Sequence, residues 1–241
     1  MQLDGKICLV TGAGKGLGRA TLEAFLREGA FVYANDCREG SLDAYKDHPN
    51  VRIMYFDVSD GQADRNAILQ IKSEKKRLDV LVNNAGIMKD ALIGTIPRPM
   101  MEEVFSVNVF GTMELLQLAA KMMIHQKSGS IINLSSIVGI TGNPGQLVYS
   151  ATKGAIISLT KTAAKELGPK GIRVNAIAPG MIDTDMMRSV GEAHLQRHID
   201  HIPMGRLGKP EEIADACVFL ASEQASYITG HILQVDASVL V

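Results

Sequence analysis

Short, nearly continuous apolar runs recur along the chain at Ile7 to Val10, Ala30 to Ala34, Val51 to Phe56, Val80 to Val82, Ser130 to Leu134, Arg173 to Ala178 and Ile232 to Val235. Runs of this kind, apolar at successive positions rather than at alternate ones, belong to strands covered on both faces. Most of the segments between them carry helical periodicity, clearest in Leu17 to Glu28, Met101 to Gln126, Val148 to Leu167 and Glu211 to Leu220. Pro97 and Pro99 mark the approach to the helix at Met101, and Gly168-Pro169 closes the helix that begins at Val148. Strand and helix in alternation, joined by right-handed crossovers, predict an α/β fold: one doubly wound parallel sheet of about seven strands with helices on both faces. No repeat, low-complexity stretch or linker divides the chain, so residues 1–241 read as a single domain. The methionine- and histidine-rich segment 181–208, bracketed by Pro179-Gly180 and Pro210, reads as a lid over one edge of the sheet.

Composition narrows the function classes. The chain has 241 residues, 46% hydrophobic and 21% charged, enough for one ordinary buried core and too few apolar gaps for disorder. Lys plus Arg number 25 against 26 for Asp plus Glu, a net charge of −1 at pH 7, so no overall field draws the protein to nucleic acid or to an anionic membrane. Cys8, Cys37 and Cys217 are odd in number and lack C-x-x-C spacing, which argues against a disulfide framework and a zinc site. The start Met1-Gln2-Leu3-Asp4-Gly5-Lys6 has no basic region followed by an apolar core, and no apolar run is long enough to span a bilayer; the expected home is the cytoplasm.

The first candidate chemistry is Thr11-Gly12-Ala13-Gly14-Lys15-Gly16-Leu17-Gly18, placed between the first strand and the first helix. Glycines there let backbone turn sharply and approach a ligand, and the helix start offers unpaired N–H groups to a pyrophosphate. A dinucleotide is the ligand this favours over a bare strand-to-helix turn. A P-loop is excluded because Lys15 precedes Gly16 where Ser or Thr would hold magnesium. Asp36, at the end of the second strand, lies where an acidic side chain accepts the adenosine ribose hydroxyls and repels a 2′-phosphate. Lys15 and Arg38 pull toward that phosphate, yet the balance favours NAD over NADP.

Farther along stand Asn83-Asn84-Ala85-Gly86, Asn108, Ser135-Ser136 and Tyr149-Ser-Ala-Thr-Lys153, in that order. Each is weak alone; together they are specific, and the chain resembles the short-chain dehydrogenase/reductase family over essentially its whole length. Within it the sequence looks most like the 3-oxoacyl-carrier-protein reductase group, through Asn133 to Gly139, Val174 to Gly180, Thr184, Gly205 to Gly208 and Tyr227 to Gly230. The resemblance implies a Rossmann sheet, a nicotinamide dinucleotide and a catalytic tetrad of Asn108, Ser136, Tyr149 and Lys153. Tyr149 and Lys153 are i, i+4 and share a helix face, so the ammonium can stabilise a phenolate whose unperturbed pKa of about 10 is too high for exchange at neutral pH. Ser136 would hold the reacting oxygen, Lys153 would also bind the nicotinamide ribose, and Asn108 would hold a water linking the lysine to solvent. The same comparison implies cofactor contacts from Gly12, Lys15, Gly16, Leu17, Gly18, Asp36, Asp57, Val58, Asn84, Ala85, Gly86, Tyr149, Lys153, Pro179, Gly180, Ile182 and Thr184.

Two departures from the family pattern matter. The carrier-protein reductases generally use NADP, against which Asp36 speaks. Asp236-Ala237-Ser238 also replaces an acidic or amide residue followed by two glycines, which puts the local turn and a subunit contact in question. Lys127 and Lys170 fall where those enzymes face an acidic acyl carrier protein. A homotetramer joined through the long helices containing Asn108 and Tyr149 is expected from the family. His194, His198 and His201 share a helical face, but no H-E-x-x-H or further ligand completes a set, so no metal is expected. Met181, Met186, Met187 and Met204 read as an apolar wall over the substrate. The expected activity interconverts a carbonyl and a secondary alcohol, with a 3-oxoacyl thioester as first substrate. A polyol, sugar, steroid or secondary-metabolite alcohol is the alternative, and a catalytically silent dinucleotide sensor the reading from another class.

Overall fold

The computed structural model describes residues 1–184 and 199–239. Seven parallel strands, β1 (Ile7–Val10), β2 (Phe31–Asp36), β3 (Val51–Tyr55), β4 (Val80–Asn83), β5 (Gly129–Leu134), β6 (Ile172–Pro179) and β7 (Ile232–Val235), form one sheet in the order β3-β2-β1-β4-β5-β6-β7. Among the described residues the α-helices are α1 (Gly16–Arg27), α2 (Gly61–Lys75), α3 (Arg98–Phe105), α4 (Thr112–Gln126), α5 (Val138–Thr141), α6 (Leu147–Leu167) and α7 (Pro210–Ala221). The expected doubly wound sheet is therefore present. Its strand order reverses between β1 and β4, and a crevice opens there at the C-terminal ends of the strands.

Strand alternation builds two cores. Cys8 and Val10 of β1 point to the face covered by α1 and α7, among Leu22, Phe25, Cys217 and Leu220. Ile7 and Leu9 point to the other face, among Ile68, Leu115, Ala119 and Ala164 of α2, α4 and α6. All three cysteines are free; Cys8 and Cys217 are buried and Cys37 is exposed. Burial drives both buried thiols up, Cys217 to about 12, and leaves them inert at neutral pH. No helix among the described residues is long and apolar enough to cross a membrane.

One element differs from the periodicity reading. The continuous helix expected over Met101 to Gln126 starts at Arg98 and is broken by a π-helical turn, Ser106–Gly111, centred on Asn108. The cause is tertiary: the Asn108 amide is pulled onto the backbone of Ile87, donating to its carbonyl (2.9 Å) and accepting from its N–H (2.8 Å). The β2–β3 connection carries a 3₁₀ turn, Asp43–Tyr45. Helix α2 is polar outside a narrow buried stripe of Asp64, Ala67, Ile68 and Ile71; the Asp60 carboxylate caps it by accepting from the N–H groups of Gln62 and Ala63.

Candidate active site

The chain leaves β1 at Thr11, whose hydroxyl accepts from the N–H groups of Asn84 and Ala85 (both 3.0 Å) and donates to the Val82 carbonyl (3.3 Å). These bonds tie β1 to β4 at the crevice. The Asn84 amide donates to the carbonyls of Thr11 (2.9 Å) and Gly12 (3.1 Å), holding the glycine turn in place. A Cβ on Gly18 would collide with the Gly12 carbonyl, so those two glycines serve the close approach of helix start and turn. Gly12 and Gly16 both have left-handed backbone, at φ +63° and +54°, but the space at Gly16 is open, the nearest atom to its Cβ position being Thr184 Cγ2 at 3.8 Å. Helix α1 begins there, with Lys15 at its N-cap making no side-chain capping bond and no acidic residue in the first turn. Leu17 packs on the first core. Uncapped N–H groups at a helix start without a competing carboxylate fit a pyrophosphate.

At the other end of the crevice Asp36 closes β2, only 9% exposed. Its two oxygens accept from the N–H groups of Gly14 and Arg38, each at 2.9 Å. Both retain lone pairs for ribose hydroxyls. The side chains of Lys15 and Arg38 lie exposed. Asp57, exposed beyond β3, accepts from the backbone and hydroxyl of Ser59 (both 2.8 Å), while the Val58 side chain is buried in the second core.

Ser136, Tyr149, Lys153, Asn108 and Gly86 meet where β4, β5 and α6 converge. Ser136 follows β5; its hydroxyl accepts from the Val138 N–H (3.4 Å) and lies near enough to the Tyr149 phenol to favour the phenolate. The Lys153 ammonium, buried, lies 5.6 Å from the centre of the Tyr149 ring and donates to the Leu134 carbonyl at 2.7 Å. A Cβ on Gly86 would stand 3.2 Å from Asn108 Oδ1 and 3.6 Å from Lys153 Nζ, so these groups surround one point. The Asn108 amide is committed to Ile87 and to the Thr152 hydroxyl (3.1 Å), and Thr152 donates in turn to the Tyr149 carbonyl (2.7 Å). Burial pulls the lysine down to about 8. Burial also pushes the Tyr149 phenol up to about 12; the nearby Ser136 hydroxyl opposes this and the Asp90 charge adds to it. The phenol thus departs from the lowered value expected for a lysine-activated tyrosine, because burial outweighs an ammonium aimed at a carbonyl.

Beyond β6, Pro179 accepts from the Ile137 N–H (2.9 Å), and Gly180 packs against the backbone of Asp236. Ile182 is buried in the first core and pairs with Gly208, so what it can offer a ligand is backbone. Thr184 lies over Gly16. Met181, Ile182, Ile202, Met204, Gln234 and Ala237 line part of a cavity of about 270 Å³ beside this segment. Of the expected lid, residues 185–198 lie outside the described residues, and with them Met186, Met187, His194 and His198. Among the described residues no group of three His, Cys, Asp or Glu could hold a metal. Lys127 and Lys170 are exposed just before β5 and β6, at the sheet edge opposite Tyr149.

Sequence reasoning passed over Thr11, Leu134 and Thr152, which position the site through a backbone staple, a carbonyl and a hydroxyl relay. Thr11 was legible as the residue opening the glycine cluster; the other two carry no signal of their own.

The geometry agrees with known proteins. A family model described as enoyl-(acyl carrier protein) reductase matches residues 12–238. The 3-oxoacyl-(acyl-carrier-protein) reductase of Thermotoga maritima is 42% identical over 246 residues, covering all of both chains. Those of Aquifex aeolicus and Vibrio harveyi are 38% and 37% identical, each over 99% of both chains. With a parallel sheet, a glycine turn at its switch point and a Ser136–Tyr149–Lys153 cluster, the chain belongs to the short-chain dehydrogenase/reductase family and is an oxidoreductase acting on carbonyl and hydroxyl groups with a nicotinamide dinucleotide.

Proposed function

We propose that the protein reduces 3-oxoacyl thioesters to the 3-hydroxy compounds, working with NADH. The observation that carries the reductive reading is the gathering of Tyr149, the buried Lys153 ammonium and Asn108 beside Gly86 in a chain that aligns end to end with 3-oxoacyl reductases, with a Tyr149 phenol that is protonated at neutral pH. A neutral phenol is ready to act as an acid, which is what carbonyl reduction asks of it. The dinucleotide, when bound, supplies the hydride. Tyr149 gives its proton to the carbonyl oxygen, Ser136 hydrogen-bonds the same oxygen, and the Lys153 ammonium offsets the charge left on the phenol. Asn108 acts by position: its amide, committed to Ile87 and Thr152, holds the loop after β4 against α6. Gly16 and the first turn of α1 take the pyrophosphate, Asn84 to Gly86 shape the central channel, and Thr184 closes over it.

The thioester substrate rests on the three carrier-protein reductases that align end to end with this chain. The NADH preference rests on Asp36, a carboxylate anchored by two backbone N–H groups at the end of β2, a position from which an acidic side chain would repel a 2′-phosphate. That same residue favours the second reading, oxidation of a small secondary alcohol with NAD. A carrier protein docked on Lys127 and Lys170 fits the thioester reading through a second copy of the chain, because the 21 residues of α6 put the two ends of that helix about 30 Å apart. Exposed Phe110, Met113, Ile124 and Leu147 on the α4 and α6 side support that copy and, by family resemblance, a homotetramer in the cytoplasm.

The test is a set of steady-state rates with NADH and NADPH against acetoacetyl and enoyl thioesters and a panel of secondary alcohols, run alongside Asp36→Ser and Tyr149→Phe. The expected result is acetoacetyl reduction with NADH, a shift of at least about tenfold toward NADPH in Asp36→Ser, and loss of turnover with dinucleotide affinity kept in Tyr149→Phe. A strong NADPH preference in the wild type overturns the Asp36 argument. Retained turnover in Tyr149→Phe overturns the site.

A further inference from the structure

Helix α6 carries Tyr149 and Lys153, yet its N-cap is a glutamine, Gln146, which makes no side-chain bond to the helix start. Asn, Asp, Ser and Thr are the residues that cap helices, and glutamine in that place leaves the first N–H groups without a side-chain acceptor. Its amide is spent elsewhere. Gln146 Oε1 accepts from Asn143 Nδ2 (3.1 Å), while Nε2 donates across to Asp90 Oδ1 (3.3 Å) and to the Met88 sulfur (3.1 Å). The backbone repeats the link: the Ala91 N–H donates to the Gly145 carbonyl (2.8 Å), and Ala91 pairs with Gln146 in an isolated parallel bridge. The loop after β4 is thereby joined to the N-cap of α6, three positions before Tyr149. The other end of the same loop is held by Asn108 through Ile87.

We propose that Gln146 and Asp90 are positioning residues of the reaction, forming a clasp that holds the loop following Gly86 against the start of α6 and so sets where a carbonyl can lie relative to Tyr149. The inference rests on Tyr149 being the proton donor. Both amide ends of Gln146 are oriented by named partners, so the side chain has one working direction, with the donor toward the carboxylate. The Asp90 charge is also felt at the phenol, which places the loop close enough for its position to matter to the acid. Opening the clasp separates the loop from the helix without touching the glycine turn or Asp36, which lie across the sheet on β1 and β2.

Exchange of the polar partners tests this. Gln146→Glu sets a second carboxylate against Asp90 and opens the clasp; Asp90→Asn in that background restores a hydrogen bond with donor and acceptor reversed. With whichever carbonyl substrate the wild type turns over best, Gln146→Glu is expected to lower kcat/KM by about tenfold, mainly through kcat, since a misplacement of about 1 Å can cost up to about 100-fold. The Asp90→Asn Gln146→Glu double variant is expected to recover most of the loss, with dinucleotide affinity constant across the set. Wild-type kcat in Gln146→Glu, or a double variant no faster than the single one, overturns the proposal. Such a result leaves Tyr149 untouched, because the role of Tyr149 is read separately from Tyr149→Phe.

Discussion

At the scale of single residues, the site is governed by what burial does to two ionisable groups. Lys153 keeps a proton only up to about 8, and Tyr149 keeps its own to about 12. Between those values the phenol is still an acid while the ammonium that offsets its anion is disappearing. The kcat for carbonyl reduction at saturating dinucleotide is therefore expected to fall as pH rises through about 8, although the phenol itself remains protonated; a flat profile to pH 10 contradicts this. A second residue-scale effect lies beyond β7, where two glycines of the family pattern are replaced. Ala237 and Ser238 adopt left-handed backbone at φ +52° and +54°, and the turn is held by the Ser238 N–H on Asp236 Oδ1 (2.9 Å). The turn survives the substitution at the expense of about 1 kcal/mol per residue. Ala237→Gly is expected to raise the melting temperature by about 1 to 3 °C, relief of the φ strain exceeding the added chain entropy. A lower melting temperature would show that the turn carries no strain.

At the scale of elements, α2 contains a conflict between its pattern and its chemistry. Asp64 opens the buried stripe of this helix, fully buried with neither carboxylate oxygen hydrogen-bonded, beside the carboxylates of Glu114, Asp60 and Asp57. Burial first, then those three charges, push it up to about 8, far above an unfolded aspartate at about 3.9. The folded chain thus binds a proton that the unfolded chain releases. Stability linked to Asp64 is complete below pH about 4 and is lost as pH rises through about 8. Asp64→Leu is expected to raise the melting temperature by several degrees at pH 8 and by much less at pH 4.5, and equal gains at the two pH values would refute the linkage. The π turn at Asn108 is the other element-scale lesson. Its periodicity is that of one long helix, and the break comes from a partner, the Ile87 backbone, distant in sequence.

At the scale of the whole molecule, the proposed cofactor and substrate sites share the C-terminal edge of one sheet, while the exposed apolar side chains Phe110, Met113 and Ile124 line the outer side of the π turn and α4. Met113 and Ile124 are eleven residues apart, close to three helical turns, so they share a stripe. A stripe of this kind on a chain with net charge of only −1 favours self-association. Met113→Glu is expected to shift the protein to smaller species in sedimentation velocity, with the melting temperature falling as assembly is lost. An unchanged sedimentation coefficient would remove that stripe from the interface.

What the sequence determined alone was whatever depends on local pattern. The strands, the helices α1 and α6, the glycine turn and the i, i+4 pairing of Tyr149 with Lys153 all follow from periodicity and spacing, because backbone geometry repeats every two or 3.6 residues whatever surrounds it. Asp36 was legible for the same reason, as the acidic end of an apolar run. Tertiary structure decided everything that depends on a distant partner: that the Lys153 ammonium faces the Leu134 carbonyl, that burial lifts the phenol of Tyr149, and that Asn108 bends its helix toward Ile87. It also decided that Gln146 turns from its own helix to Asp90, and that the stripe of α2 buries a carboxylate. Desolvation and long-range hydrogen bonds are properties of a packed interior, and a pattern read along one chain carries no measure of them.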